Sequence, residues 1–156
     1  MSPDQQLNHI YYFHPMRYTQ FFTATILNWQ KLLVPDTFKD IIINALKHRV
    51  NKKLVRIYGI VIMPNHMHIL WYIHPDIKRE DFQRDLLKYT AREMIHVLKT
   101  GGREDIIQKH TVNDKDRKIQ IWERNSLTTD IYTLDVFNQK LDYIHANPLQ
   151  DRWQLA

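Results

Sequence analysis

The chain is 156 residues long with 44% hydrophobic and 25% charged residues, which by length alone is one domain large enough to bury its own core. It has no cysteine, so disulfides, thiolate metal sites and cysteine nucleophiles are excluded. Lysine and arginine outnumber aspartate and glutamate by 22 to 17, an excess that permits a polyanionic partner without demanding one, and three glycines are too few for a phosphate-cradling loop.

Residues 1–17 show little periodicity and read as an irregular lead-in. Tyr18 to Leu27 reads as a first strand, with Phe21, Thr23, Thr25 and Leu27 on one face and Phe22, Ala24 and Ile26 on the other. After Pro35, the residues Phe38, Ile41, Ile42, Ala45, Leu46 and Val50 recur at helical spacing, with Asp36 or Thr37 as the expected cap. Leu54 to Met63 and His66 to Ile73 read as an antiparallel hairpin folded at Pro64-Asn65. Met67, Ile69, Trp71 and Ile73 form the face expected to pack on helices. His66, His68, Leu70 and Tyr72 form the other.

Asp81 to Leu98 reads as a second helix, buried through Phe82, Leu86, Leu87, Met94, Ile95 and Leu98 and ended by Gly101-Gly102. Residues 103–118 are charged and turn-prone and read as a flexible surface loop. Ile119 to Leu127 reads as a fourth strand. Leu134 to Ala146 reads as a third helix, stopped at Asn147 because a following proline disfavours helical geometry.

The resulting order, β-α-β-β-α-β-α, implies an α+β fold over a single domain, 1–156. Its first six elements form a ferredoxin-like split β-α-β with a four-stranded antiparallel sheet and two helices on one face. The extra C-terminal helix, which carries Tyr143, is expected across or beside the second face. No apolar run approaches the ~20 residues of a membrane span, and the amino terminus lacks the features of a signal peptide, so no membrane and a cytoplasmic location are expected.

His66 and His68 share one strand face, roughly 7 Å apart, where two imidazoles can close on one divalent ion or one phosphate. Chance pairs on strands are also common. In the last helix Tyr143 and Asn147, at i and i+4, share a face about 100° from the apolar stripe Leu134, Phe137, Leu141 and Ile144. A tyrosine on the amphipathic rim with an asparagine C-cap explains that pair as well as a functional one does. If the two pairs meet, two imidazoles and an amide oxygen suit Mg²⁺ or Mn²⁺, and a tyrosine beside them can attack phosphorus covalently.

Met63-Pro64-Asn65-His66-Met67-His68-Ile69-Leu70 and Leu141-Asp142-Tyr143-Ile144-His145-Ala146-Asn147-Pro148 resemble the signature segments of the REP-associated tyrosine transposases, relatives of the single-strand insertion-sequence transposases of the HUH superfamily. Leu87 to Ala91 and Ile121 to Arg124 also resemble family segments. The resemblance implies a metal-dependent DNA transposase that cleaves single strands and transfers them through a 5′-phosphotyrosine. His66 and His68 would be metal ligands, Asn147 the third ligand and Tyr143 the nucleophile. The partner implied is single-stranded DNA or a DNA hairpin, met by a monomer or a homodimer. This chain departs from the family pattern in its amino-terminal segment and beyond the Asn-Pro segment.

Lys88, Arg92 and Arg124 are the cations expected at DNA, with Lys52, Lys53, Lys115, Arg117 and Lys118 as looser phosphate contacts. A solvated charged face accounts for each singly. Two alternatives stay open on the same scaffold: a DNA-binding regulator that does not cut, and a metal nuclease that uses water with Tyr143 structural.

Overall fold

A computed structural model describes residues 19–149, so the expected lead-in over 1–17 lies outside the described residues. The elements run β1 (Thr19–Thr25), α1 (Asp36–Asn51), β2 (Val55–Met63), β3 (His66–Ile73), α2 (Arg79–Thr100), α3 (Glu104–Lys109), β4 (Leu127–Asp130) and α4 (Leu134–Ala146). Short 3-10 turns occupy Leu27–Trp29 and Asn147–Leu149. The strands form one sheet in the order β2-β3-β1-β4, antiparallel at every pairing. This is the α+β, ferredoxin-like arrangement expected from the pattern. No described helix is long and apolar enough to cross a membrane.

Period-two alternation divides the sheet into two faces. Phe22 and Ala24 of β1 and Met67, Ile69, Trp71 and Ile73 of β3 are buried against Phe38, Ile42 and Leu46 of α1 and Phe82, Leu86 and Met94 of α2. Trp71 stacks on Phe22 at 4.8 Å and meets Phe82 edge-on at 5.4 Å, as its place on the apolar face required. On the second face Phe21, Val61, Met63 and Leu70 cluster with Ile131 and Ile144, so α4 lies across β2 and β3.

Gly59 sets how closely α4 approaches. It follows a register irregularity in β2, and a methyl group there would come 2.9 Å from a terminal methyl of Leu141 and 3.5 Å from Ile144. The missing side chain lets the helix settle on the strand. The stripe of α4 is graded, with Ile144 buried, Phe137 and Leu141 half-buried and Leu134 exposed.

Four expectations need correction. The fourth strand is Leu127–Asp130, not Ile119 to Leu127. Ile121 and Trp122 are buried but join the sheet only through an isolated bridge between Trp122 and Ile26. The true strand is an exposed edge with no apolar alternation. Polar bonds hold it instead: Gln20 Nε2 and Arg79 Nη1 both donate to Asp130, at 3.1 and 2.8 Å, and Gln83 Nε2 donates to Thr128 Oγ1 at 3.2 Å.

The segment 103–118 is not simply a loop. Gly102 turns the chain at φ +65°, and Glu104–Lys109 is helical because Ile107 reaches the core and two acidic residues open its first turn. The charge of Asn113 to Lys118 concealed Ile107, which lies in the core cluster, and Ile106, which packs against it. The cap of α1 is Pro35, with no side-chain bond, while Asp36 sits inside the helix and pairs with Lys39. Asn147 keeps helical angles, φ −57° and ψ −45°, despite preceding proline, because the chain continues into a 3-10 turn.

Candidate functional site

β3 is the central scaffold of the site. His66 and His68 emerge from its second face, and their ring centroids are 4.9 Å apart at 72°. Thr23, the register partner of His68 on β1, places its Oγ1 2.7 Å from His68 Nδ1. When Nδ1–H donates to that oxygen, the lone pair of His68 lies on Nε2. That Nε2 is buried and has no hydrogen-bond partner among the described residues. His66 Nδ1 lies 2.7 Å from Asn65 Oδ1, an acceptor that favours the same tautomer in this ring. Burial, then the neighbouring His66 and then the Lys140 ammonium push His68 down to about 4, which keeps its ring neutral at ordinary pH.

α4 closes one side. Its N-cap Thr133 accepts from Val136 N–H, and the apolar contacts beneath it point Tyr143 at the histidines. The Tyr143 ring meets His68 edge-on at 5.2 Å and Phe21 at 6.0 Å, while Phe21 stacks on His68 at 5.1 Å. Tyr143 is 42% exposed, so its ring is held at the base and open at the rim. Lys140, one turn earlier, carries its ammonium 4.8 Å from the Phe21 ring centroid.

These groups share an open cleft of about 620 Å³. Thr23, Thr25, Trp29, His66, His68 and Tyr143 line it, facing Gln120, Glu123, Arg124, Asn125 and Leu127. Asn147 sits one turn beyond Tyr143, buried and outside that lining, and its Nδ2 has no hydrogen-bond partner among the described residues. Rotation of the amide about its Cβ–Cγ bond exchanges that nitrogen for the oxygen. The donor set therefore fits a hard or borderline divalent ion: two imidazoles, one of them held neutral with an orphaned buried Nε2, and an under-bonded amide. Among the described residues no group of three or more His, Cys, Asp or Glu side chains is placed to hold a metal. A site here depends on the amide.

The expected DNA cations separate. Arg124 lines the cleft and is ion-paired with Asp114. Lys88 and Arg92 are exposed on α2, which packs on the opposite sheet face, and Arg92 lies over the Tyr89 ring. Trp122 is buried and donates from Nε1 to Thr90 Oγ1 at 3.1 Å, which assigns it to the core; Trp153 lies outside the described residues.

Sequence pattern alone missed Thr23, Trp29, Glu123 and Lys140. Thr23 was visible as the residue sharing a strand face with Phe21, and Lys140 as the i−3 neighbour of Tyr143. Nothing marked Trp29, whose position depends on backbone angles that pattern does not encode. Asn28 and Trp29 both have positive φ, 54° and 57°, which costs about 1–2 kcal/mol for a residue with a side chain and more readily suits asparagine than tryptophan.

No protein-family model and no curated protein matches the sequence. Solved structures share its fold, two of them transposases or described as such. One is a REP-associated tyrosine transposase bound to a REP hairpin, with 22% identity and a TM-score of 0.59 over 88% of this chain and 70% of that one. The other, from Deinococcus radiodurans R1, is described as a candidate transposase, with 16% identity and a TM-score of 0.54 over 81% of this chain and 88% of that one.

Proposed function

We propose that this protein is a tyrosine transposase of the REP-associated, single-strand type. It cleaves single-stranded DNA beside a hairpin and passes the strand on through a covalent 5′-phosphotyrosine. One observation carries the reading: two histidines from β3 and a tyrosine from α4 converge on one open cleft, with ring centroids 4.9 and 5.2 Å apart. The fold shared with the two transposases and the matching sequence segments support it.

In this reading His66, His68 and the amide of Asn147 hold Mg²⁺ or Mn²⁺. When bound, the ion polarises a phosphoryl oxygen of the scissile phosphodiester. Tyr143 supplies the nucleophile. Its phenol oxygen forms the new P–O bond as the bond to the 3′ oxygen breaks, and the phenol proton balances the one gained by the departing 3′-OH. Lys140 places positive charge on the helix face that carries Tyr143, which offsets the phosphate's charge. Phe21, behind both His68 and Tyr143, fixes their mutual orientation and keeps water from that side. Because the link is a phosphodiester, the 3′-OH of another strand can reverse it, which gives strand transfer instead of hydrolysis.

The test is cleavage of end-labelled single-stranded DNA hairpins in Mn²⁺ or Mg²⁺, with chelator controls. Products with a free 3′-OH and a blocked 5′ end, absent with chelator, are expected. Products with a free 5′-phosphate that persist in Tyr143→Phe would overturn the reading in favour of a water-using nuclease.

A further inference from the structure

Trp29 is a large apolar side chain, 63% exposed, outside both buried clusters and on the wall of the cleft. Its backbone is pinned from three directions. Trp29 N–H donates to Ile26 C=O at 3.0 Å, and the preceding Asn28 N–H donates to Glu123 Oε1 at 2.7 Å. Asn65 Nδ2 reaches Trp29 C=O at 3.5 Å while Asn65 Oδ1 holds His66. One buried amide thus ties the placement of the indole to that of a site imidazole, and the two rings stand 6.5 Å apart at 66°. Burial does not explain this position, because the indole is mostly in solvent. A left-handed backbone at a bulky residue persists only where its surroundings fix it, and here they fix a flat aromatic surface beside the histidines.

We infer that Trp29 is a stacking platform for a nucleobase next to the scissile phosphate, so that the cleft recognises a base as well as a phosphodiester backbone. The inference rests on the proposed action on single-stranded DNA. Indole accepts the face of any base, so it orders the strand at the site without selecting sequence. The coupling through Asn65 keeps that base in register with His66.

The test compares binding of a twelve-nucleotide oligo-dT with a twelve-mer of abasic deoxyribose phosphate, which keeps the backbone charge and lacks bases. Wild type is expected to prefer oligo-dT by roughly 5- to 150-fold, the range for stacking one base. Trp29→Phe should keep most of the preference, and Trp29→Ala should lose it. Trp29→Gly should lose it too while folding at least as stably, since glycine relieves the positive φ. Equal wild-type binding of the two probes overturns the inference and leaves the DNA reading standing. So does a preference that survives in Trp29→Gly. Binding of neither probe by wild type overturns the reading on which the inference rests.

Discussion

Thr23 and His68 face each other across β1 and β3, and the Thr23 hydroxyl meets His68 Nδ1 at 2.7 Å. A strand-pairing register thereby sets a hydroxyl where it can accept from Nδ1–H and leave the lone pair of a candidate ligand on Nε2. Thr23→Val keeps the branched shape and removes the bond. Stability should fall by about 1 kcal/mol, and Mn²⁺ affinity, measured by calorimetric titration, should fall roughly 10- to 100-fold. Unchanged affinity would mean that His68 does not bind the ion through Nε2.

Gly59 controls the seat of α4. A single methyl crowds only the movable end of Leu141 and lies in ordinary contact with Ile144, so Gly59→Ala should be nearly neutral. Gly59→Val adds two further methyls in the same crowded space between Leu141 and Ile144, and it should cost about 1–3 kcal/mol and displace Tyr143 from His68. Thermal unfolding and cleavage rate together check this: the valine variant should lose more rate than its residual folded fraction explains.

His68 links stability to pH. Its folded value of about 4 lies below the ordinary 6.5, so the unfolded chain binds a proton more readily between the two. The neutral ring's contribution is fully present above about 6.5 and is lost as pH falls toward 4, on the order of 3 kcal/mol in all. Denaturant titrations should show this loss, and His68→Gln should flatten it. His110, also pushed down, chiefly by burial, acts in the same direction and should survive that substitution.

His68 and Tyr143 meet within one chain, whereas the sequence left monomer and homodimer equally open. A tyrosine acting in its own chain predicts that mixing His66→Ala with Tyr143→Phe restores no cleavage. Exchange of α4 between two copies would restore a fraction.

The hairpin of β2 and β3 was legible because full burial of one face forces strict alternation, and α4 because its apolar stripe occupies one face while its tyrosine and asparagine share another. β4 was not legible, since polar bonds hold it and Leu127 is exposed. α3 was hidden by the charges around it. Of the candidate residues taken from sequence spacing, His66, His68 and Tyr143 share the cleft, while Asn147 is buried outside its lining. The groups that orient them, Thr23 and the Trp29 turn, depend on register and backbone angles that emerge only when β1 lies beside β3.

The central claim is that Tyr143 becomes covalently joined to DNA. The measurement is a denaturing protein gel after incubation with single-stranded DNA hairpins, carrying label on the 3′ side of the cleavage position, in Mn²⁺. A labelled band of reduced mobility is expected, absent from Tyr143→Phe and from His66→Ala. Cleavage without such a band, at the same rate in Tyr143→Phe, would contradict the account.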